Sequence, residues 1–212
     1  MHRLRRVLAL GLVPFVLAAS QSGDDLGVAQ RLGEAAQARA AARLTGRYDP
    51  WFRKYTKRYF GPTMDWKLFK SQAVAESELN PRALSPVGAR GLMQLMPATF
   101  GLVAANRSWM TSVDSPEANI AAGLLHDRDL FELWKGRVDE TERVRFAFAS
   151  YNAGEGTIMR AANVAKAEKL DPTLWYSIAQ VAPRVKNWRH VETLGYVRRI
   201  DRKSTRLNSS HG

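Results

Sequence analysis

The sequence predicts a mainly α domain with little or no β structure, on three observations. Apolar residues recur at steps of three and four, as in Trp66, Phe69 and Ala73 or Val144, Phe148 and Tyr151, which is the spacing of one stripe on an α-helix. No stretch alternates polar and apolar residues as a solvated strand does. Helix signals punctuate the chain: Asp114-Ser-Pro-Glu, Asp139-Glu-Thr-Glu142 and Asp171-Pro172 read as starts, and Gly61-Pro62, Asn80-Pro81 and Lys135-Gly136 as stops. At most a small sheet or hairpin is expected, in the loops.

Taken in order, Met1-His-Arg-Leu-Arg-Arg is a basic head, Val7 to Leu17 an apolar run, and Ala18-Ala19-Ser20 a small-residue cleavage site, so residues 1–20 read as an export signal. The run is short for a membrane span and holds Pro14. No stable membrane insertion is expected after cleavage. Residues 21–47 are Ala-, Gln- and Arg-rich, with good helix propensity but few large apolar side chains, and read as a lead-in. The globular part opens at Tyr48-Asp-Pro-Trp51-Phe52, with a Pro at the first helical position. Asp65 caps the next helix, which ends near Asn80-Pro81, and a loop with Pro86, Gly88 and Gly91 leads into an apolar segment from Leu92 to Phe100.

Further helices are expected from Asp114 through Ile120, Leu124 and Phe131, from Asp139 to Tyr151, from about Thr157 to Leu170 and from Asp171. A last one presents Val191, Leu194, Val197 and Ile200. Residues 201–212 show no periodicity and read as a non-native tail outside a domain that spans 48–200.

Composition narrows the function. The chain has no Cys, and its four His residues are scattered, so neither a thiolate site nor any other metal centre is expected. The net charge is +12, of which +3 lies in residues 1–20 and +2 in the last twelve, leaving +7 for residues 21–200. Those Lys and Arg are dispersed without a nucleic-acid motif, so nucleic acid is not expected as a partner. A moderately basic surface also suits a polymer bearing free carboxylates.

The residue that stands out is Glu76. It continues the stripe of Trp66, Phe69 and Ala73, so an acid sits where an apolar residue is expected. Two readings stand: a solvated or Arg-paired Glu at the stripe's edge, or a desolvated carboxyl whose pKa rises until it holds a proton near neutral pH, as a general acid must. The loop that follows folds Leu92 to Phe100 back over it.

Glu76-Ser77, Asn80-Pro, Ser85-Pro, Gly88-Ala-Arg-Gly-Leu-Met-Gln-Leu-Met-Pro-Ala-Thr and Ser150-Tyr-Asn-Ala-Gly154 together resemble, in order, the three signature motifs of the lytic transglycosylases of the SLT domain type, across roughly residues 48 to 200. The resemblance implies a lysozyme-like helical fold and peptidoglycan glycan strands as substrate, with no cofactor. The N-terminal signal implies an exported, periplasmic or cell-envelope protein, and the sequence leaves open which cell-envelope protein complex, if any, is a partner. Two positions depart from the pattern: Leu79 stands where an aromatic residue is usual, and Ser150 where Ala is more common.

The resemblance assigns roles. Glu76 is the catalytic acid and then base, Ser77 holds the N-acetyl group or the acid, Gln94 hydrogen-bonds the sugar, Tyr151 steadies Glu76 or the developing charge, and Asn152 contacts substrate. Met93 adds apolar cleft wall. Each of these also has a plain structural reading: a helix-end hydroxyl for Ser77, a surface amide for Gln94, core packing for Met93 and Tyr151, and a helix terminus for Asn152. Most glycosidases use two carboxylates, yet only Glu76 stands inside a motif here. Glu78 falls on the opposite helix face, and Asp65, Asp114 and Asp139 read as caps. This agrees with the non-hydrolytic cleavage that the resemblance implies, in which the sugar's C6 hydroxyl or N-acetyl group supplies the nucleophile. A muramidase adding water and a non-catalytic wall-binding module are the alternatives.

Overall fold

The computed structural model describes residues 46–209. The expected export signal, nearly all of the lead-in and the last three residues lie outside them. Among the described residues there are eight α-helices: α1 (Asp49–Phe60), α2 (Trp66–Ser77), α3 (Pro97–Ala104), α4 (Pro116–Leu133), α5 (Arg143–Ala153), α6 (Glu155–Ala167), α7 (Trp175–Val181) and α8 (His190–Ser209), with a 3₁₀ turn at Ala182–Arg184. The β structure among them consists of two isolated antiparallel bridges, Leu84 with Arg90 and Arg90 with Leu95, in the loop between α2 and α3.

The centre of the bundle is α5, which packs against α4, α6 and α8 and is buried from Phe146 through Ser150. Helix α8 also lies along α2, and α1 braces α2 and α4. Phe69 on α2 meets Phe60 at 4.6 Å and Phe148 at 5.9 Å between ring centroids, joining α1, α2 and α5 in one apolar core. Burying such rings contributes roughly 1.5–3 kcal/mol each. Ser150, the departure from Ala, has a structural cause: its buried hydroxyl accepts the indole N–H of Trp134 at 2.9 Å.

Four local expectations are corrected. Asp65 does cap α2, accepting from the Lys67 amide at 2.9 Å, but α4 is capped by Ser115, whose side chain accepts from Ala118, while Asp114 forms an ion pair with Arg90 at 2.8 Å. Asp139 and Asp171 do not cap helices either. Each takes the amide and hydroxyl of the Thr two residues on, Thr141 and Thr173, and these side-chain turns delay α5 to Arg143 and α7 to Trp175. Helix α2 stops at Ser77, before the expected Asn-Pro, because Glu78 (φ 54°) and Leu79 (φ 61°) both adopt the left-handed region. Finally, α8 buries Thr193, Tyr196, Val197 and Ile200, whereas Val191 is exposed. It also continues past Ile200 to Ser209, and Asp201 in that extension binds Arg145 on α5 at 3.0 Å.

Candidate active site

Glu76 occupies the last turn of α2, on the stripe of buried Phe69 and Ala73. It is part-buried, and its Oε1 accepts a 2.6 Å hydrogen bond from the phenol of Tyr196 on α8. Desolvation pushes the Glu76 carboxyl up to about 7, against the opposing pull of the Tyr196 hydrogen bond and the positive charge of Arg199, while Glu192 adds to the rise. The acid is therefore half-protonated near neutral pH. Tyr196, itself buried, is pushed well above the ordinary tyrosine range by burial and by the carboxyls of Glu76 and Asp127, so it stays a hydrogen-bond donor.

The loop between α2 and α3 is tied to the end of α2 and to α5 by backbone-directed contacts. Ser77 donates its hydroxyl to the Leu92 carbonyl at 2.8 Å and to its own helix at Ala73. Tyr151, at the end of α5, donates to the Met93 carbonyl at 2.7 Å. Met93 is fully buried. Gln94 sits in the left-handed region (φ 46°) with its side-chain amide nitrogen donating to the carbonyls of Gly91 and Ala83. Asn152 and Glu192 line a pocket of about 200 Å³ with Asn187, Arg189 and Thr193. The structure thus brings Glu76, Ser77, Met93, Gln94 and Tyr151 into one linked assembly, with Asn152 at the neighbouring pocket.

Three residues of this assembly were not predicted. Tyr196 is the phenol that reaches Glu76, and its place on the three-and-four stripe of Thr193, Val197 and Ile200 is the signal that marks it. Asn119, buried in the first turn of α4, accepts from the Met93 amide at 2.8 Å and donates to the carbonyls of Arg90 and Val113 at 3.0 and 2.9 Å. It pins the loop by two of these hydrogen bonds, at Met93 and Arg90, and the third ties the segment before α4 at Val113. Gly91 is required here, since a Cβ would lie 2.5 Å from the Asn119 amide, and its φ of +77° already disfavours any side chain. Gly123 on α4 makes room in the same way for Met93, whose side chain would be 2.7 Å from an added Cβ. The third is Asp127 on α4, a fully buried carboxyl that receives the Gln72 side-chain amide at 3.1 Å and is pushed well above the ordinary range by burial, with Glu76 adding to the rise.

Asp127 is only 1% exposed and sealed from solvent, whereas Glu76 is part-buried at the end of α2. Among the described residues no group of three or more His, Cys, Asp or Glu is placed to hold a metal ion. The chemistry on offer is general acid and base catalysis by one tuned carboxyl, oriented by a phenol and next in sequence to a pinned loop.

An all-helical domain with this arrangement has the lysozyme-like fold. The chain is a member of the transglycosylase SLT domain family, whose pattern matches residues 52–174. It is 35% identical over 147 residues to membrane-bound lytic murein transglycosylase F of Serratia proteamaculans, covering 69% of this chain and 29% of that protein. It is also 35% identical over 152 residues to the protein of that name from Yersinia enterocolitica, covering 70% and 30%. The chain thus spans under a third of the length of these relatives. Among solved structures, the 70-kDa soluble lytic transglycosylase of Escherichia coli matches with a TM-score of 0.56 at 27% identity, over 74% of this chain and 23% of that one. The complex of the 70-kDa soluble lytic transglycosylase with bulgecin A matches at 0.60 and 27%, over 80% and 25%.

Proposed function

We propose that this chain is a peptidoglycan lytic transglycosylase that cleaves the bond between N-acetylmuramic acid and N-acetylglucosamine with Glu76 as its single acid and base. The observation that carries the reading is a desolvated Glu76, pushed up to about 7 and held by Tyr196, in the domain of a transglycosylase family. Protonated Glu76 gives its proton to the leaving glycosidic oxygen as the sugar carbon takes on oxocarbenium character. The resulting carboxylate then removes the proton of the muramic C6 hydroxyl, whose oxygen closes on the sugar carbon. The product is a 1,6-anhydro end, and no water is consumed.

The remaining residues support that acid. Ser77 and Tyr151 tie the loop to α2 and α5, and Met93 is buried beneath it. Gln94, whose amide oxygen is left to accept, and Asn152, at the neighbouring pocket, are assigned to glycan contact. Burial of Asp127 supports the single-carboxyl scheme over ordinary two-carboxylate hydrolysis. The basic surface suits the carboxylates of stem peptides. The signal-like character of residues 1–20 supports export to the cell envelope, and no helix among the described residues is long and apolar enough to cross a membrane.

Digestion of purified sacculi, with product ends weighed by mass spectrometry, tests the reading. Anhydro ends, one water lighter than reducing ends, are expected. Reducing ends would make the chain a muramidase, and no cleavage would make it a binding module.

A further inference from the structure

We propose that Asp127 is held as a neutral carboxylic acid, closes a two-hydrogen-bond ring with Gln72, and through Gln72 acts as a positioning residue for Glu76. The proposal rests on Glu76 being the catalytic acid. Gln72 lies one helical turn before Glu76 on α2, on the side facing α4. Its Nε2 donates to Asp127 Oδ1 at 3.1 Å, and both side chains are fully buried.

The other two atoms of the pair are decisive. Gln72 Oε1 and Asp127 Oδ2 are both buried without a hydrogen-bond partner. Both atoms are acceptors on side chains already bonded to each other through Nε2 and Oδ1, and with Asp127 ionised neither can satisfy the other. A proton on Oδ2 turns one acceptor into a donor and satisfies both, as in a carboxylic acid–amide pair. The surroundings favour that form. The groups around Asp127 are Glu76 on α2, Tyr151 on α5 and Tyr196 on α8, with His126 beside it on α4 against the Tyr151 ring at 5.2 Å. Arg199 and Glu192 act on Glu76 from α8. Burial holds His126 below its usual range and both tyrosines well above theirs, so none of these neighbours brings a cation to Asp127 near neutral pH.

The consequence is one mobile proton in the site rather than two. A charged Asp127 would hold a second negative charge beside Glu76 and shift its titration upward. A neutral one fixes Gln72, and with it the last turn of α2, without altering the charge that Glu76 feels.

The test combines carboxyl NMR with kinetics. In protein labelled with ¹³C at aspartate and glutamate side chains, the Asp127 carboxyl, assigned through its own Cβ so that no variant has to fold, is expected to keep its protonated shift from pH 5 to pH 9 while Glu76 titrates. Asp127→Ala is expected to lower kcat about tenfold or more. Asp127→Asn, which mimics the protonated acid and can form the same ring, is expected to restore it and leave the alkaline limb of the pH–rate profile in place. An Asp127 carboxyl with an ordinary ionised shift at neutral pH, or an Asp127→Asn variant whose limb moves to lower pH, would overturn the proposal. Failure of the underlying reading shows separately, as a Glu76→Gln enzyme that still cleaves sacculi whatever the Asp127 resonance does.

Discussion

Tyr196 and Glu76 lie 120 positions apart and meet through a 2.6 Å hydrogen bond between the phenol and Oε1. The bond connects the end of α2 to α8, and it favours the charged carboxylate against the desolvation that favours the protonated acid. Removing the hydroxyl therefore has a definite sign. In Tyr196→Phe the Glu76 pKa should rise further and the alkaline limb of activity should move to higher pH, with a lower maximal rate because the acid loses its anchor. A pH–rate profile of the variant checks this.

Replacing the acid itself isolates its chemistry. Glu76→Gln keeps an acceptor for Tyr196 but has no proton to give, so cleavage should fall by about 10²–10⁴-fold, the usual contribution of a general acid. Release of soluble muropeptides from sacculi measures it.

The same substitution should stabilise the fold at alkaline pH. The folded pKa of about 7 lies above the ordinary 4.5, so folding binds a proton. Stability is then full below about 4.5 and is lost as pH rises through about 7. The loss amounts to at most about 3 kcal/mol at pH 8, because a tenfold change in proton affinity is worth about 1.4 kcal/mol. Glu76→Gln removes that loss, so its Tm should exceed the wild type's by several degrees at pH 8 and match it at pH 4. Thermal melts at the two pH values decide.

The loop between α2 and α3 should respond to Asn119. Asn119→Ala deletes one buried and two part-buried hydrogen bonds and leaves the Met93 amide and two carbonyls without that partner, which predicts a destabilisation of about 3 kcal/mol. Denaturant unfolding measures the loss. Activity should fall even where the variant remains folded, because Met93 and Gln94 are no longer pinned.

Much of this was legible in the residues, for physical reasons. The position of Glu76 followed from its phase with Phe69 and Ala73, because a helix repeats its face every three to four residues whatever packs against it. The end of α2 did not follow: Glu78 and Leu79 take left-handed conformations that neither residue type announces, and burial of Leu79 helps to hold them there. Cap chemistry misled at Asp139 and Asp171, since Asp followed two residues later by Thr satisfies its oxygens locally and starts a turn instead of a helix. Tyr196, Asn119 and Asp127 were hidden for a different reason. Their importance comes from pairing across helices far apart in sequence, and no local periodicity encodes which polar residue on a buried face will find its partner.

The most direct measurement is the titration of the Glu76 carboxyl by NMR beside the pH dependence of kcat/KM for sacculus cleavage by the wild-type chain. A carboxyl that titrates near 7, with activity declining through that same pH, is the predicted result. A carboxyl that titrates near 4.5, or activity still climbing well above neutral pH, would contradict a proton-bearing Glu76.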